Sequence, residues 1–214
     1  MDRTALINSV KSKIDEISSS DALVVDVGLE DNNPIDTIID GLLDECAKEV
    51  LLKAPIHRLT VTSSTATATP DTVVTQIGTI PLPADFVRLV ELKMADWTRP
   101  VTELYSSGSP IALKQSNKWL RAKWNKPVAV LSNRKVTAGN PPVVTNPAVI
   151  EYYSIKSSHA ISRFMYIKKE VAENMPEWLQ DALCWICASK VLAILNKPTD
   201  AKYAIENAVG LLIH

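Results

Sequence analysis

The stretch from Leu179 to Leu195 constrains the fold of this chain more than any other. Thirteen of its seventeen residues are apolar, broken only by Gln180, Asp181, Ser189 and Lys190. A helix that is apolar nearly all round must be covered by several neighbours at once. The polar interruptions make it a poor membrane span, so the cover is expected from the chain itself.

Three further helices are predicted to supply that cover. Near the start, Leu6, Ile7, Val10, Ile14 and Ile17 recur at helical spacing, and Ser18-Ser19-Ser20 ends the run. A second stripe runs through Ile35, Ile38, Ile39, Leu42, Leu43, Cys46 and Val50, with Asn33 as cap, Pro34 at the first position and Pro55 as the stop. Asp36, Asp40 and Asp44 load its front and Lys48 and Lys53 its end, as the helix dipole favours. Beyond Asn196-Lys197-Pro198, Thr199 is expected to cap a last helix through Tyr203, Ile205 and Val209 towards Gly210.

Between the helical ends the period changes to two. Strands are predicted at Leu59 to Thr62, Thr72 to Ile80, Phe86 to Lys93, Arg99 to Leu104, Val128 to Leu131, Arg134 to Thr137 and Val149 to Ile155. Pro81 and Pro83 hold an extended approach to the third of these, and Asp85 is suited to close a turn. The tracts 63–70 and 139–147 are too polar or too proline-rich for a core, and read as loops or as arms that order on a neighbour. The fold class is therefore α+β: a helical bundle made by both chain ends, with an antiparallel β-domain inserted. The expected parts are residues 1–57, 58–157 and 158–214.

Charge is near balance overall but unevenly placed. Residues 1–55 carry twelve acids and five basic residues, whereas residues 104–150 carry seven basic residues and no acid. Such halves neutralise each other within one chain or meet between subunits, where they set orientation and register. The segment 114–126 concentrates five cations around Trp119 and Trp124. That composition suits a nucleic-acid platform, a subunit contact, or two indoles buried while the lysines stay in water.

Nothing in the chain has the spacing of a catalytic or metal site. Cys184-Trp185-Ile186-Cys187 is a CxxC, yet it lies in the middle of the apolar helix rather than at a helix start after a strand, so core packing is expected. Together with Cys46 these thiols read as reduced and cytosolic. His57, His159 and His214 have no ligand or triad spacing. No catalytic, cofactor-binding or metal-binding residue is assigned, and a non-enzyme is expected. The first thirty residues lack the apolar run of an export signal, so the reading is a soluble protein with no membrane partner.

Ile80-Pro81-Leu82-Pro83-Ala84-Asp85-Phe86-Val87-Arg88-Leu89-Val90, followed by Lys93-Met94-Ala95-Asp96-Trp97-Thr98-Arg99-Pro100-Val101, resembles the central signature of the head-to-tail adaptor proteins of tailed bacteriophages. Asn125 to Val130 and Val149-Ile150-Glu151-Tyr152-Tyr153 resemble two further strands of those proteins, although the first lacks their aromatic residue. These are the tail-tube-A or gatekeeper proteins of short-tailed phages, including the crAss-like group. The resemblance implies a virion protein made in the bacterial host cytoplasm and assembled as a homo-oligomeric, twelve-fold ring at the head-to-tail connector. Its expected partners are the portal protein and neighbouring tail ring proteins, and DNA would pass through the lumen without sequence readout. Trp97, Arg99, Trp119, Arg121 and Trp124, with the acidic face at Asp36, Asp40 and Asp44, are the expected interface residues. A nucleic-acid-binding module built on 114–126, or another virion scaffold or cargo-binding protein, is the alternative.

Overall fold

The computed structural model describes residues 1–17, 34–71, 74, 76–132, 135–137, 143–145 and 148–213. The chain divides into two compact units, Met1–Leu59 with Lys169–His214, and Thr60–Lys168. The expected stop at Ser18 to Ser20 and the expected cap at Asn33 lie outside the described residues. Among the described residues, no helix is long and apolar enough to cross a membrane.

The first unit contains α1 (Arg3–Ile17), α2 (Pro34–Lys53) and, after the second unit, two more helices. The second unit contains β1 (Thr62–Ser63), β2 (Thr69–Pro70), β3 (Ile77–Pro81), β4 (Phe86–Met94), β5 (Tyr105–Ser106), the short helix α3 (Pro110–Gln115), β6 (Ala129–Ser132), β7 (Lys135–Thr137), β8 (Val143–Thr145), β9 (Val149–Tyr153) and β10 (Ile161–Lys168). The chain then returns to the first unit as α4 (Glu177–Ile194) and α5 (Pro198–Ile213).

Helix α4 packs against α1, α2 and α5. Leu179, Leu183, Ile186, Val191 and Leu192 are buried in it, facing Leu6, Val10 and Ile14 of α1, Ile39, Leu43 and Val50 of α2, and Ala201, Ala204 and Ala208 of α5. Burying each large side chain contributes roughly 1.5–3 kcal/mol, so this helix dominates the unit's stability. Its polar residues are accommodated one by one. Gln180 is buried but donates to the Met175 carbonyl at 3.0 Å. Asp181 pairs with Lys13 at 2.5 Å, and Lys190 with Glu45 at 2.8 Å and Glu49 at 3.2 Å. Cys46, Cys184 and Cys187 are buried free thiols; a hydrogen bond with Cys46, then burial, raises the Cys187 thiol far above its ordinary value.

Helix α4 ends by a change of backbone hand at Asn196, whose φ of 61° is left-handed. Asn196 N–H donates to the Ala193 carbonyl at 3.1 Å and Lys197 N–H to that of Leu192 at 2.9 Å, so two orphan carbonyls are satisfied. Pro198 then opens α5, one residue before the cap expected at Thr199, because proline suits a first helical position. The helix also runs on through Gly210.

In the second unit, β1, β10 and β4 form one antiparallel sheet, and β2, β3, β9, β6 and β5 a second, antiparallel except at the β5–β6 edge. A separate pair joins β7 to β8. Ile80, Leu89, Leu92, Met94, Ile150, Tyr152, Phe164 and Tyr166, drawn from both larger sheets, share one apolar core. Pro81 and Pro83 bracket the crossing from β3 to β4, where Leu82 N–H donates to the Ala148 carbonyl at 3.2 Å. Asp85 accepts a hydrogen bond from the Tyr166 hydroxyl at 3.0 Å, tying that crossing to β10.

Strict alternation in β4 would send Leu89 and Leu92 to opposite faces, yet both are buried. A register irregularity resolves this: Glu91 pairs with Met165 and Leu89 with Tyr166, so Val90 is an extra residue that restores the inward direction. Strand β10 extends the β-domain beyond residue 157, where periodicity alone places its end. Its three register irregularities against β4 break the period that would have announced it. The strand expected over Arg99 to Leu104 is reduced to one bridge, Val101 with Leu92; of the strand expected over Thr72 to Ile80, β3 supplies the part from Ile77, and Thr72, Val73 and Thr75 lie outside the described residues. Of the tract 139–147, the described part is the strand β8.

Gly78 lies opposite Tyr152 across the β3–β9 pair. A Cβ there would fall 2.5 Å from the Thr69 carbonyl oxygen and closer still to the Tyr152 hydroxyl. Burial pushes that hydroxyl's pKa up to about 12, and it shares a hydrogen bond with His159 Nδ1. Gly78→Ala should therefore destabilise the protein by about 1–3 kcal/mol through overpacking, read as a lower urea midpoint at unchanged m.

Candidate interaction surface

The basic, tryptophan-bearing segment is shaped by a helix that periodicity does not announce. Ser109 caps α3, its Oγ accepting from Ala112 N–H at 3.2 Å, and Pro110 takes the first position. That Ser-Pro pair is the signal for it in the sequence. At the far end of α3, the buried Gln115 organises the loop beyond it. Its Nε2 donates to the Ile111 carbonyl at 2.9 Å, its Oε1 accepts from Ala122 N–H at 2.8 Å, and its main-chain carbonyl accepts from Arg121 Nε at 2.9 Å. Asn117 tightens the turn further, with its Oδ1 accepting from Trp119 N–H at 2.9 Å and its carbonyl from Leu120 and Arg121 N–H at 3.1 and 2.9 Å.

The loop from Ser116 to Ala122 is therefore held from within while its apolar tip faces water. Trp119 is 89% exposed and Leu120 is 59% exposed. So large an exposed indole leaves much apolar surface in water, which is how contact sites differ from ordinary surface. An open cavity of about 850 Å³ lies beside it, lined by Lys118, Trp119, Arg121, Lys123 and Trp124 with Ser154 at its edge. Lys156 Nζ sits 3.8 Å from the centroid of the half-exposed Trp124 ring, a fourth cation at the same place. Ser154, at a left-handed φ of 65°, donates through Oγ to the Ala122 carbonyl and so closes the far side of the loop.

Other expected contact residues fall elsewhere. Trp97 is only 2% exposed and belongs to the β core, with its Nε1–H unpartnered among the described residues, so it cannot serve as a contact residue in this fold. The turn after Met94 folds it inward: Trp97 N–H donates to the Met94 carbonyl at 3.1 Å. Arg99, two residues on, is exposed. The acidic stripe of α2 is largely engaged within its own unit. Arg3 pairs with Asp40 and, at 3.6 Å, with Asp44; Lys11 pairs with Asp36; and Asp44 accepts from Ala172 N–H at 3.2 Å. These pairs are half exposed and each contributes only about 0–1 kcal/mol, but they set how α1 lies on α2.

Asp96 has a structural task that its neighbourhood in the sequence does not disclose. Its Oδ2 accepts from three successive N–H groups, those of Lys156, Ser157 and Ser158, at 3.1, 2.7 and 2.7 Å. Those donors stabilise the carboxylate and hold its pKa below the usual range. The clasp sets the path of the chain that carries Lys156 to the Trp124 ring.

Among the described residues, no group of three or more His, Cys, Asp or Glu side chains is placed to hold a metal. No protein-family model matches this chain, and no curated protein matches it.

Two measurements check this placement. Trp97→Ala should lower stability by about 3–5 kcal/mol, whereas Trp119→Ala should leave it within about 0.5 kcal/mol, both by urea denaturation. Because the Asp96 pKa is depressed by folding, its contribution to stability is complete above the ordinary carboxylate range near pH 4 and is lost as pH falls through the lower folded value. Asp96→Asn should therefore flatten the acid-side decline of the melting temperature.

Proposed function

We infer that this chain is a non-enzymatic structural protein of a tailed-phage virion, assembling as a homo-oligomeric ring that joins portal to tail and lets DNA through its lumen. The observation that carries this reading is the Trp119 and Leu120 tip, held in shape by the buried Gln115 and exposed on a basic surface. A rigid, exposed apolar anchor ringed by cations is what a protein needs for a partner, and aromatic and arginine side chains carry most binding energy in such contacts. The element order supports the same reading. Adaptor proteins of the kind this sequence resembles are expected to carry N-terminal helices, a β-rich middle and a C-terminal helix pair; the chain has that order, and the sequence 80–101 that carries the resemblance supplies β4 and its flanks to the β core.

A mechanical role asks for no bond-making group. It asks for a fold that keeps its shape under load, and the paired sheets and the enclosed α4 are consistent with that demand.

A second reading rests on the cavity beside Trp119. Three lining cations and two indoles suit the backbone and bases of single-stranded nucleic acid. It predicts retention of single-stranded DNA on a filter, lost on charge reversal at Lys118, Arg121 and Lys123, with a steep dependence on salt.

The ring reading predicts a defined multi-copy mass by native mass spectrometry, alone or with portal protein, and a closed ring by negative-stain imaging. If opposed charges hold the copies together, assembly should weaken at least tenfold between about 0.1 and 1 M salt, across which the screening length falls from about 10 to 3 Å. A mass of one chain at every concentration and with portal would overturn it.

A further inference from the structure

We propose that the Trp119 tip of one copy seats in an acidic aromatic groove on the helical unit of a second copy, making a head-to-tail contact. This rests on the ring reading and names the two surfaces that would meet in it. The groove, about 620 Å³, lies on the first unit; its lining includes the carboxylates Glu16, Asp181 and Glu206, the rings of Trp178, Trp185 and Tyr203, and one cation, Arg58. Its carboxylates come from three helices, α1, α4 and α5.

The groove is set up to receive a cationic apolar tip. Its two indole rings already hold cations: the Arg58 guanidinium lies 4.1 Å from the Trp178 centroid, and Lys13 Nζ, which also pairs with Asp181, lies 4.4 Å from that of Trp185. Arg58 is itself exposed, and beside it the lining offers apolar surface and carboxylate. Tyr203 is 55% exposed with Leu211 beside it, and Glu16 and Glu206 reach water. The neighbour of Glu206, Lys202, stands 3.9 Å away, a loose pair that an incoming cation can replace.

The tip complements this in kind. Trp119 and Leu120 supply apolar surface for Tyr203 and Leu211, and Lys118, Arg121 and Lys123 supply cations for Glu16 and Glu206. Opposed charge around an aromatic centre gives both steering and register. The two surfaces are different patches of one chain, so the contact is heterologous: each copy offers one tip and one groove, and repetition closes a ring if the rotation permits.

The test uses two full-length variants, a tip variant (Lys118→Glu, Trp119→Ala, Lys123→Glu) and a groove variant (Glu16→Lys, Glu206→Lys), all at exposed positions. An unchanged thermal melt confirms that each is folded, and the single Trp119→Ala variant is a milder second probe. Each variant alone should self-associate at least tenfold more weakly than the parent protein by sedimentation velocity and native mass spectrometry. Mixed together, they should form a one-to-one pair and nothing larger, since one intact tip meets one intact groove.

A parent protein whose closed rings are unaffected by either variant would overturn the contact while leaving the ring reading intact. Open chains or pairs that respond to both variants would uphold the contact and overturn the closed ring. A tip variant that loses DNA retention with unchanged self-association would assign the tip to nucleic acid and overturn the contact, as would a parent protein that stays a single chain.

Discussion

The enclosure of α4 is the constraint on which the helical unit depends. A helix with so little polar surface leaves water only if every side is covered, and three other helices are needed to do it. Each covers a different strip: α1 with Leu6, Val10 and Ile14, α2 with its longer row, and α5 with the small residues Ala201, Ala204 and Ala208 that allow close approach. Ion pairs then favour one rotation of α1, α2 and α4 about their axes, because Lys13 has to reach Asp181 and Lys190 has to reach Glu45 and Glu49. The charged pattern of α2 is a consequence of this packing as much as of the helix dipole. Asp36, Asp40 and Asp44 meet Lys11 and Arg3 because α1 must lie along that face to cover the core.

The β unit solves a different problem, that of bringing two sheets onto one core with a strand whose side chains do not alternate regularly. The extra residue at Val90 lets Leu89 and Leu92 point the same way, and the prolines at 81 and 83 carry the chain from one sheet to the other without demanding donors that a crossing cannot satisfy. Outside that core the unit holds the Trp119 and Leu120 tip in water through its hydrogen bonds. Gln115 places Trp119 outward by occupying the interior itself, and that exchange gives the surface its potential as a contact.

Much of this is legible in the residues. The helices at 3–17, 34–53 and 177–194 come from apolar spacing, with flanking prolines at the last two, and the placement of Cys184 and Cys187 in a core comes from the apolar helix around them. Period-two patterning locates β3, β4, β6 and β9. It fails at β10, where register irregularities disturb the period, and at Arg99 to Leu104, where the residues are strand-like but only Val101 finds a partner. The interaction surface is legible as a composition in 114–126 and illegible as a shape, since nothing local says which of two tryptophans is 89% exposed.

The sequence by itself determined the α+β class, the joining of both chain ends in one helical unit, and the concentration of positive charge beside Trp119 and Trp124. These properties arise from local periodicity and composition, which act over a few residues. Tertiary structure alone decided which aromatic groups are core and which are contact. Trp97 and Trp119 sit in equally mixed surroundings in the chain, yet a turn after Met94 drives the first among Leu92, Phe164 and Ile150, while a buried glutamine holds the second in water. Burial depends on what arrives from distant strands, and for Trp97 the arriving residues lie more than fifty positions away in β9 and β10.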